Sequence, residues 1–189
     1  MNSIQVYEEI DWTGNTARAQ KFASPLEDGR MADDINIGLE TDVREEVAAG
    51  LSRLLADTYA VYLKTHGYHW NVEGPNFGSL HVLFMDQYTE MWTAIDEVAE
   101  RIRALGAYAP QGYGAFGRLS SIRDGNPEQA AEAMLAELVA DHEALIATAR
   151  QSRAAADEAT DDVTAGLIDD RVQAHEKHAW MLRASLGRR

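Results

Sequence analysis

Two pairs of residues in this chain carry the side-chain types that hold transition metals. His69 and His81 bracket a turn containing Gly74-Pro75, and Asp96 and Glu100 stand one helical turn apart further along. Imidazole and carboxylate together suit an ion such as iron, with zinc as a competitor for the same ligands. The stretch 66–100, HGYHWNVEGPNFGSLHVLFMDQYTEMWTAIDEVAE, holds three of the six histidines, His66 being the third. Taken singly these residues are ordinary. A histidine on an amphipathic helix usually packs, and neighbouring carboxylates usually face water. Their joint arrangement, two histidines around a tight turn and two carboxylates at the far end of the adjoining helix, points to metal chemistry.

The elements that must position them set the terms. Leu80, Leu83, Phe84, Met91, Ile95, Val98, Ile102 and Leu105 recur at helical spacing, so one uninterrupted helix is expected from just after Pro75 to Gly106. His81 and Asp96 lie fifteen positions apart on it, about 22 Å at 1.5 Å rise per residue. They cannot share an ion. If both are ligands, the half-site bearing His69 and His81 is completed by the Asp96/Glu100 half-site of another copy. A two-fold axis between antiparallel helices does this most simply and gives two equivalent sites in one dimer interface.

These residues resemble the Dps proteins, or miniferritins. Members of that family carry a His-Trp pair ending the first helix, a Gly-x-x-Phe turn, a second histidine twelve positions after the first, and an Asp-x-x-x-Glu-Arg segment. The counterparts here are His69-Trp70, Gly74-Pro75-Asn76-Phe77, His81 and Asp96-Glu97-Val98-Ala99-Glu100-Arg101, followed by Leu105-Gly106. The resemblance covers residues 42–186. It implies a ferritin-like subunit, a dodecamer built from two-fold dimers, oxidation of Fe(II) by hydrogen peroxide or dioxygen between subunits, and storage of ferric mineral. By position it implies His69 and His81 as catalytic metal ligands from one subunit, with Asp96 and Glu100 from its neighbour.

One position departs from the family pattern. A carboxylate usually follows the second histidine by one turn, but Met85 stands there, and a thioether is a poor ligand for iron. Three residues are candidates to compensate. Asp86 is rotated about 100° from Met85 around the helix. Glu73 is four after His69 and His66 three before it, so either shares its face if the first helix continues. Glu73 is favoured because the turn after it leads towards His81.

The rest of the chain reads as an all-α domain over 41–189, a four-helix bundle with a long crossover between helices two and three. A first helix is expected from 41 to 69, with Thr41 as N-cap and Val43, Val47, Leu51, Leu54, Leu55, Thr58 and Tyr62 on its buried stripe. Residues 107–126 hold Pro110 and four glycines and should form the crossover, with a short extra helix over 116–122. A third helix is expected from Pro127 to about 157. The fourth, about 161–186, opens on Asp161 and Asp162, where negative charge suits the helix N-terminus. Asp161, Asp162, Asp169 and Asp170 are also candidates for an acidic ion entrance.

Composition narrows the function. The chain has 189 residues, no cysteine and a formal net charge of −14 at pH 7. Absence of cysteine excludes disulfides and thiolate chemistry and fits a cytoplasmic protein. No apolar run approaches a membrane span. Residues 1–40, with few apolar positions and mixed glycine and proline, read as a tail of little fixed structure. Their Arg18, Lys21 and Arg30 are outnumbered by acidic residues. Strong net negative charge opposes binding to a phosphate backbone, so DNA binding is expected to be weak or absent, while the same field draws in Fe(II).

The remaining histidines read as structural. His142 falls on the stripe Met134, Leu138, Leu145, Ala149, and His175 on Ile168, Val172, Ala179, Leu182. His175 and His178 resemble a zinc-protease signature but stand three apart instead of four, so they are discounted. An ordinary di-iron site inside one subunit is disfavoured, since no histidine has a carboxylate three positions before it. The alternative to a ferroxidase is a non-enzymatic shell that binds DNA or sequesters metal, with oxidation weakened at Met85.

Overall fold

The first helix, α1 (Thr41–Asn71), begins beside an arginine that dictates its cap. Arg44 is buried and donates to the Leu105 carbonyl at 2.8 Å and to Thr41 Oγ1 at 3.0 Å. Thr41 is therefore not the N-cap expected from sequence. Glu40 occupies that position without a side-chain bond, because the Thr41 hydroxyl is engaged by Arg44. This computed structural model describes residues 35–187, so most of the expected tail lies outside the described residues.

Helix α2 (Phe77–Ala104) returns antiparallel to α1 after a five-residue turn. Gly106, with φ 98°, ends it in a conformation that disfavours a side chain. Helices α4 (Ala131–Glu158) and α5 (Asp162–Leu186) form the second hairpin, with the short α3 (Tyr113–Leu119) between the two pairs. Because α4 runs antiparallel to α1, the connection from α2 must travel the full length of the bundle. All five elements are helical, and no strand occurs among the described residues. Among these residues no helix is long and apolar enough to cross a membrane.

Asp57, buried in α1, pins the crossover. Its carboxylate accepts from Ser120 Oγ, the Ser121 backbone N–H, Ser121 Oγ and Thr148 Oγ1 at 2.6–2.9 Å. These bonds pull Ser120 and Ser121 out of helical geometry, so α3 lies three residues earlier than the expected 116–122. Further along, a Cβ on Gly125 would lie 2.3 Å from Tyr68 Oη, so only glycine fits where the crossover passes α1. The third long helix starts at Ala131, not Pro127. Asn126 Oδ1 accepts from the Glu128 N–H at 3.0 Å, and the Gln129 side chain is drawn to Tyr68 and Glu137. That local turn competes with helix through 127–129.

The apolar core is divided in two. One cluster holds Leu51, Leu54, Leu55, Met91, Val98, Ile102, Leu145 and Ile168, and the other holds Tyr68, Leu80, Phe84, Leu135, Leu138 and Leu182. Each fully buried leucine or isoleucine contributes about 1.5–3 kcal/mol relative to exposure. Polar side chains fill the seam. Lys64 pairs with Glu137 at 2.9 Å and Asp141 at 2.7 Å, joining α1 to α4.

Candidate metal centre

Helix α1 stops where the chain must turn: Val72 adopts extended geometry at φ −63°, ψ 136°, and its N–H caps the Tyr68 carbonyl at 2.8 Å. The stop leaves His69 in the last turn, facing His81 in the first turns of α2. Each ring binds the other residue's backbone: His69 Nδ1 to the His81 carbonyl and His81 Nδ1 to the His69 carbonyl, both at 2.8 Å. A carbonyl only accepts, so both Nδ1 atoms carry the proton. Both Nε2 atoms then hold free lone pairs, the form that binds a metal. The rings stack at 3.7 Å between centroids, 17° from parallel. His69 is buried and His81 half-buried.

The residues considered as compensators fall around this pair without joining it. His66 is sandwiched, its ring 4.1 Å from Tyr88 and 4.3 Å from Trp70. Burial, and then the neighbouring His69, lowers its pKa. Because α1 ends at Asn71, Glu73 does not share a helical face with His69; it is exposed in the turn, and Asp86 is exposed on α2. Among the described residues, no three histidine or carboxylate groups that include His69 or His81 converge closely enough to hold an ion. The described residues of one chain bring together only the two imidazoles here.

Asp96 and Glu100 are exposed on the distal half of α2, which is unbroken between them and His81. The next residue points elsewhere: Arg101 donates to both oxygens of Asp161 at 2.8–2.9 Å and to Thr164 Oγ1 at 2.8 Å. Asp161 is the N-cap of α5 and is buried. Burial works to raise its pKa, but hydrogen bonds from Thr164 and Arg101 outweigh it and lower the pKa overall. Asp161 is thus committed to structure, and Asp169 binds Arg153 Nε at 3.0 Å.

Between the histidine pair and Asp96 runs a stripe of α2: Phe77, His81, Met85, Tyr88, Trp92 and Asp96, at spacings of three and four. Trp92 is 61% exposed and Trp70, beside His69, is 67% exposed. Large aromatics left open along one face mark a surface that another molecule covers.

Comparisons with known proteins place the fold in a family. The Ferritin family profile, the ferritin-like domain, matches residues 48–189. A DNA protection during starvation protein of Brevibacillus brevis is 36% identical over 148 residues, 78% of this chain and 99% of the relative. The chain belongs to the Dps family of ferritin-like proteins. An uncharacterized low temperature-induced protein of Nostoc sp. is 40% identical to this Dps chain over 152 residues, 79% of this chain and 85% of the relative. The crystal structure of a Dps protein from Vibrio cholerae O1 matches with a TM-score of 0.78 and 32% identity, covering 83% of this chain and 99% of that one. That protein is described as a member of a broad superfamily of ferritin-like diiron-carboxylate proteins.

The structure also gathers residues that sequence reasoning set aside. His142, His175 and His178 converge inside the bundle. The available signal was the one-turn spacing of His175 and His178, together with a third histidine on the apolar stripe of a neighbouring helix.

Proposed function

We propose that this Dps chain oxidises Fe(II) at sites shared between two copies and stores the ferric product inside a closed shell. The observation that carries the reading is the locked His69/His81 pair, which offers two free Nε2 lone pairs at an aromatic-rich face and finds no carboxylate partner among the described residues of its own chain. Halfway between His81 and Asp96 lies the step between Tyr88 and Thr89. A two-fold axis there, with the two α2 helices antiparallel, brings His81 beside the partner's Asp96. The same register sets Met85 against the partner's Trp92. Each dimer then carries two equivalent sites.

Iron is the substrate. Two imidazoles and two carboxylates hold Fe(II), and the carboxylates favour the harder Fe(III) that follows. With hydrogen peroxide as oxidant, two Fe(II) each give up one electron, the O–O bond breaks, and two hydroxides form. Dioxygen is the alternative acceptor. Consuming peroxide and Fe(II) together denies both to hydroxyl-radical chemistry, which protects DNA without touching it. The net charge of −14 favours cation uptake and opposes DNA binding. A dodecamer of two-fold dimers is the shell we assign, and the lack of thiols fits a cytoplasmic setting. His66, Glu73 and Asp86 remain the nearby side chains from which a further ligand would be recruited.

Met85 favours a second reading. With a thioether in place of a third carboxylate, the site carries one less negative charge, which narrows the preference for iron over zinc and weakens oxidation relative to metal sequestration. Stopped-flow oxidation of Fe(II) by peroxide decides between them. The ferroxidase reading expects a fast phase that His81→Ala and Asp96→Ala each abolish. A wild-type rate no faster than that of the two variants would leave a sequestering shell.

A further inference from the structure

The interior of the bundle holds a second set of metal-type ligands that iron oxidation at the subunit boundary leaves unused. His142 projects from the middle of α4, and His175 and His178 from successive turns of α5. Each offers one ring nitrogen, and these nitrogens lie within 4.8 Å of one another. His142 and His175 are completely buried, and His178 is 7% exposed. They occupy the seam in the core: Leu138 belongs to one apolar cluster and Leu145 to the other, with His142 between them.

Their hydrogen bonding is incomplete in a telling way. Nδ1 of His142 faces Nδ1 of His175 at 3.0 Å. One must donate and the other accept, so the donor ring keeps a bare lone pair on Nε2 and the acceptor ring an N–H there. Both Nε2 atoms are buried without a partner, as is Nδ1 of His178. An unpaired buried polar atom is destabilising, because nothing replaces the hydrogen bonds it made to water. An ion held by the two facing Nδ1 atoms would take the place of the proton they share, which would move to Nε2 of the donor ring. Burial holds the rings neutral, the ligating form: desolvation pushes His142 down to about 3 and His178 down to about 4, and lowers His175 well below its usual value.

The spacing also fits. Two imidazole nitrogens on one ion, each about 2.0–2.1 Å from it, stand about 2.8–3.4 Å apart for angles between a right angle and tetrahedral. The His142–His175 separation of 3.0 Å is already in that range. Around the cluster, Glu90 Oε2 lies 3.9 Å from His178 Nε2 but is held by Arg171 at 2.6 and 3.0 Å. Gln87 donates to the His178 carbonyl at 3.4 Å, and its Oε1 is a further buried oxygen without a partner.

We propose that His142, His175 and His178 bind a divalent transition-metal ion of the zinc type within a single subunit. Three neutral nitrogens with no carboxylate leave the full charge of the ion uncompensated. They therefore favour a divalent over a trivalent ion and hold metal without promoting oxidation. Three protein ligands leave a fourth position open to an oxygen ligand. The ion ties α4 to α5 across the divided core, and it needs no second copy of the chain.

Zinc uptake by a chain lacking the boundary site tests this. In an assembled His81→Ala/Asp96→Ala protein, treated with chelator and then dialysed against Zn(II), we expect one zinc per chain by elemental analysis. A zinc-edge anomalous peak should lie at the three rings. Adding His178→Gln should weaken binding more than about 100-fold, beyond the 10–100-fold that disturbing an outer-shell partner costs. Far-UV circular dichroism checks that this variant folds; if it does not, the anomalous peak in the parent decides alone. Zinc well below one per chain in the parent, no peak at the rings, or undiminished zinc in folded His178→Gln protein would overturn the proposal. The parent lacks the shared site whether or not that site oxidises iron, so the two readings fail separately.

Discussion

Chains carrying His81→Ala and chains carrying Asp96→Ala, each inactive alone, should recover about a quarter of the wild-type oxidation rate when dissociated and reassembled as an equal mixture. The magnitude follows from the shared-site geometry proposed above. Each site takes its imidazoles from one chain and its carboxylates from the other, so in a homodimer of either variant both sites carry a lesion. In a mixed dimer one site collects both substitutions and the other collects none. Random pairing makes half of the dimers mixed, and each of these has one intact site of two. Losing a direct ligand should depress each parent more than about 100-fold, since outer-shell changes alone cost 10–100-fold. A quarter of full activity is then unmistakable. The assay is the initial rate of ferric product formation after mixing with Fe(II) and peroxide, on reassembled protein of verified mass. A mixture no faster than its parents would refute the sharing of sites between chains.

Other expectations follow from the packing. Asp161→Asn should lower stability by about 3 kcal/mol at neutral pH, because Arg101 loses a buried partner. Since the folded pKa of Asp161 lies below its unfolded value, its contribution is complete above about pH 4 and is lost as pH falls through the folded pKa. Urea titrations should therefore show an acid-dependent loss in the wild type that the variant lacks. Asp57→Ala should cost about 3 kcal/mol by the same measurement, as four donors lose a charged acceptor. Gel retardation of plasmid at moderate salt should show no binding, and a tight shift would contradict the charge argument.

The long helices were readable because their apolar residues recur at helical period, and Gly106 marked an end that backbone geometry requires. The approach of His69 to His81 was readable because two histidines around a short turn must come close once both helices form. What escaped was set by particular side-chain contacts and by where a helix ends. Thr41 lost its capping role to Arg44, and Ser120-Ser121 were pulled from helix by Asp57. Glu73 lost its helical relation to His69 because α1 stops two residues earlier, at Asn71. The three interior histidines were each reasonable as core residues. Only the pairing of α4 with α5 shows that His142 and His175 meet nitrogen to nitrogen, leaving neither satisfied.

The most direct measurement is an iron-edge anomalous map of crystals loaded anaerobically with Fe(II). A peak at about 2.0–2.2 Å from Nε2 of His69 and His81, with the partner's Asp96 and Glu100 completing the shell, is the predicted result. Iron bound wholly by side chains of one chain, with the His69/His81 pair vacant, would contradict it.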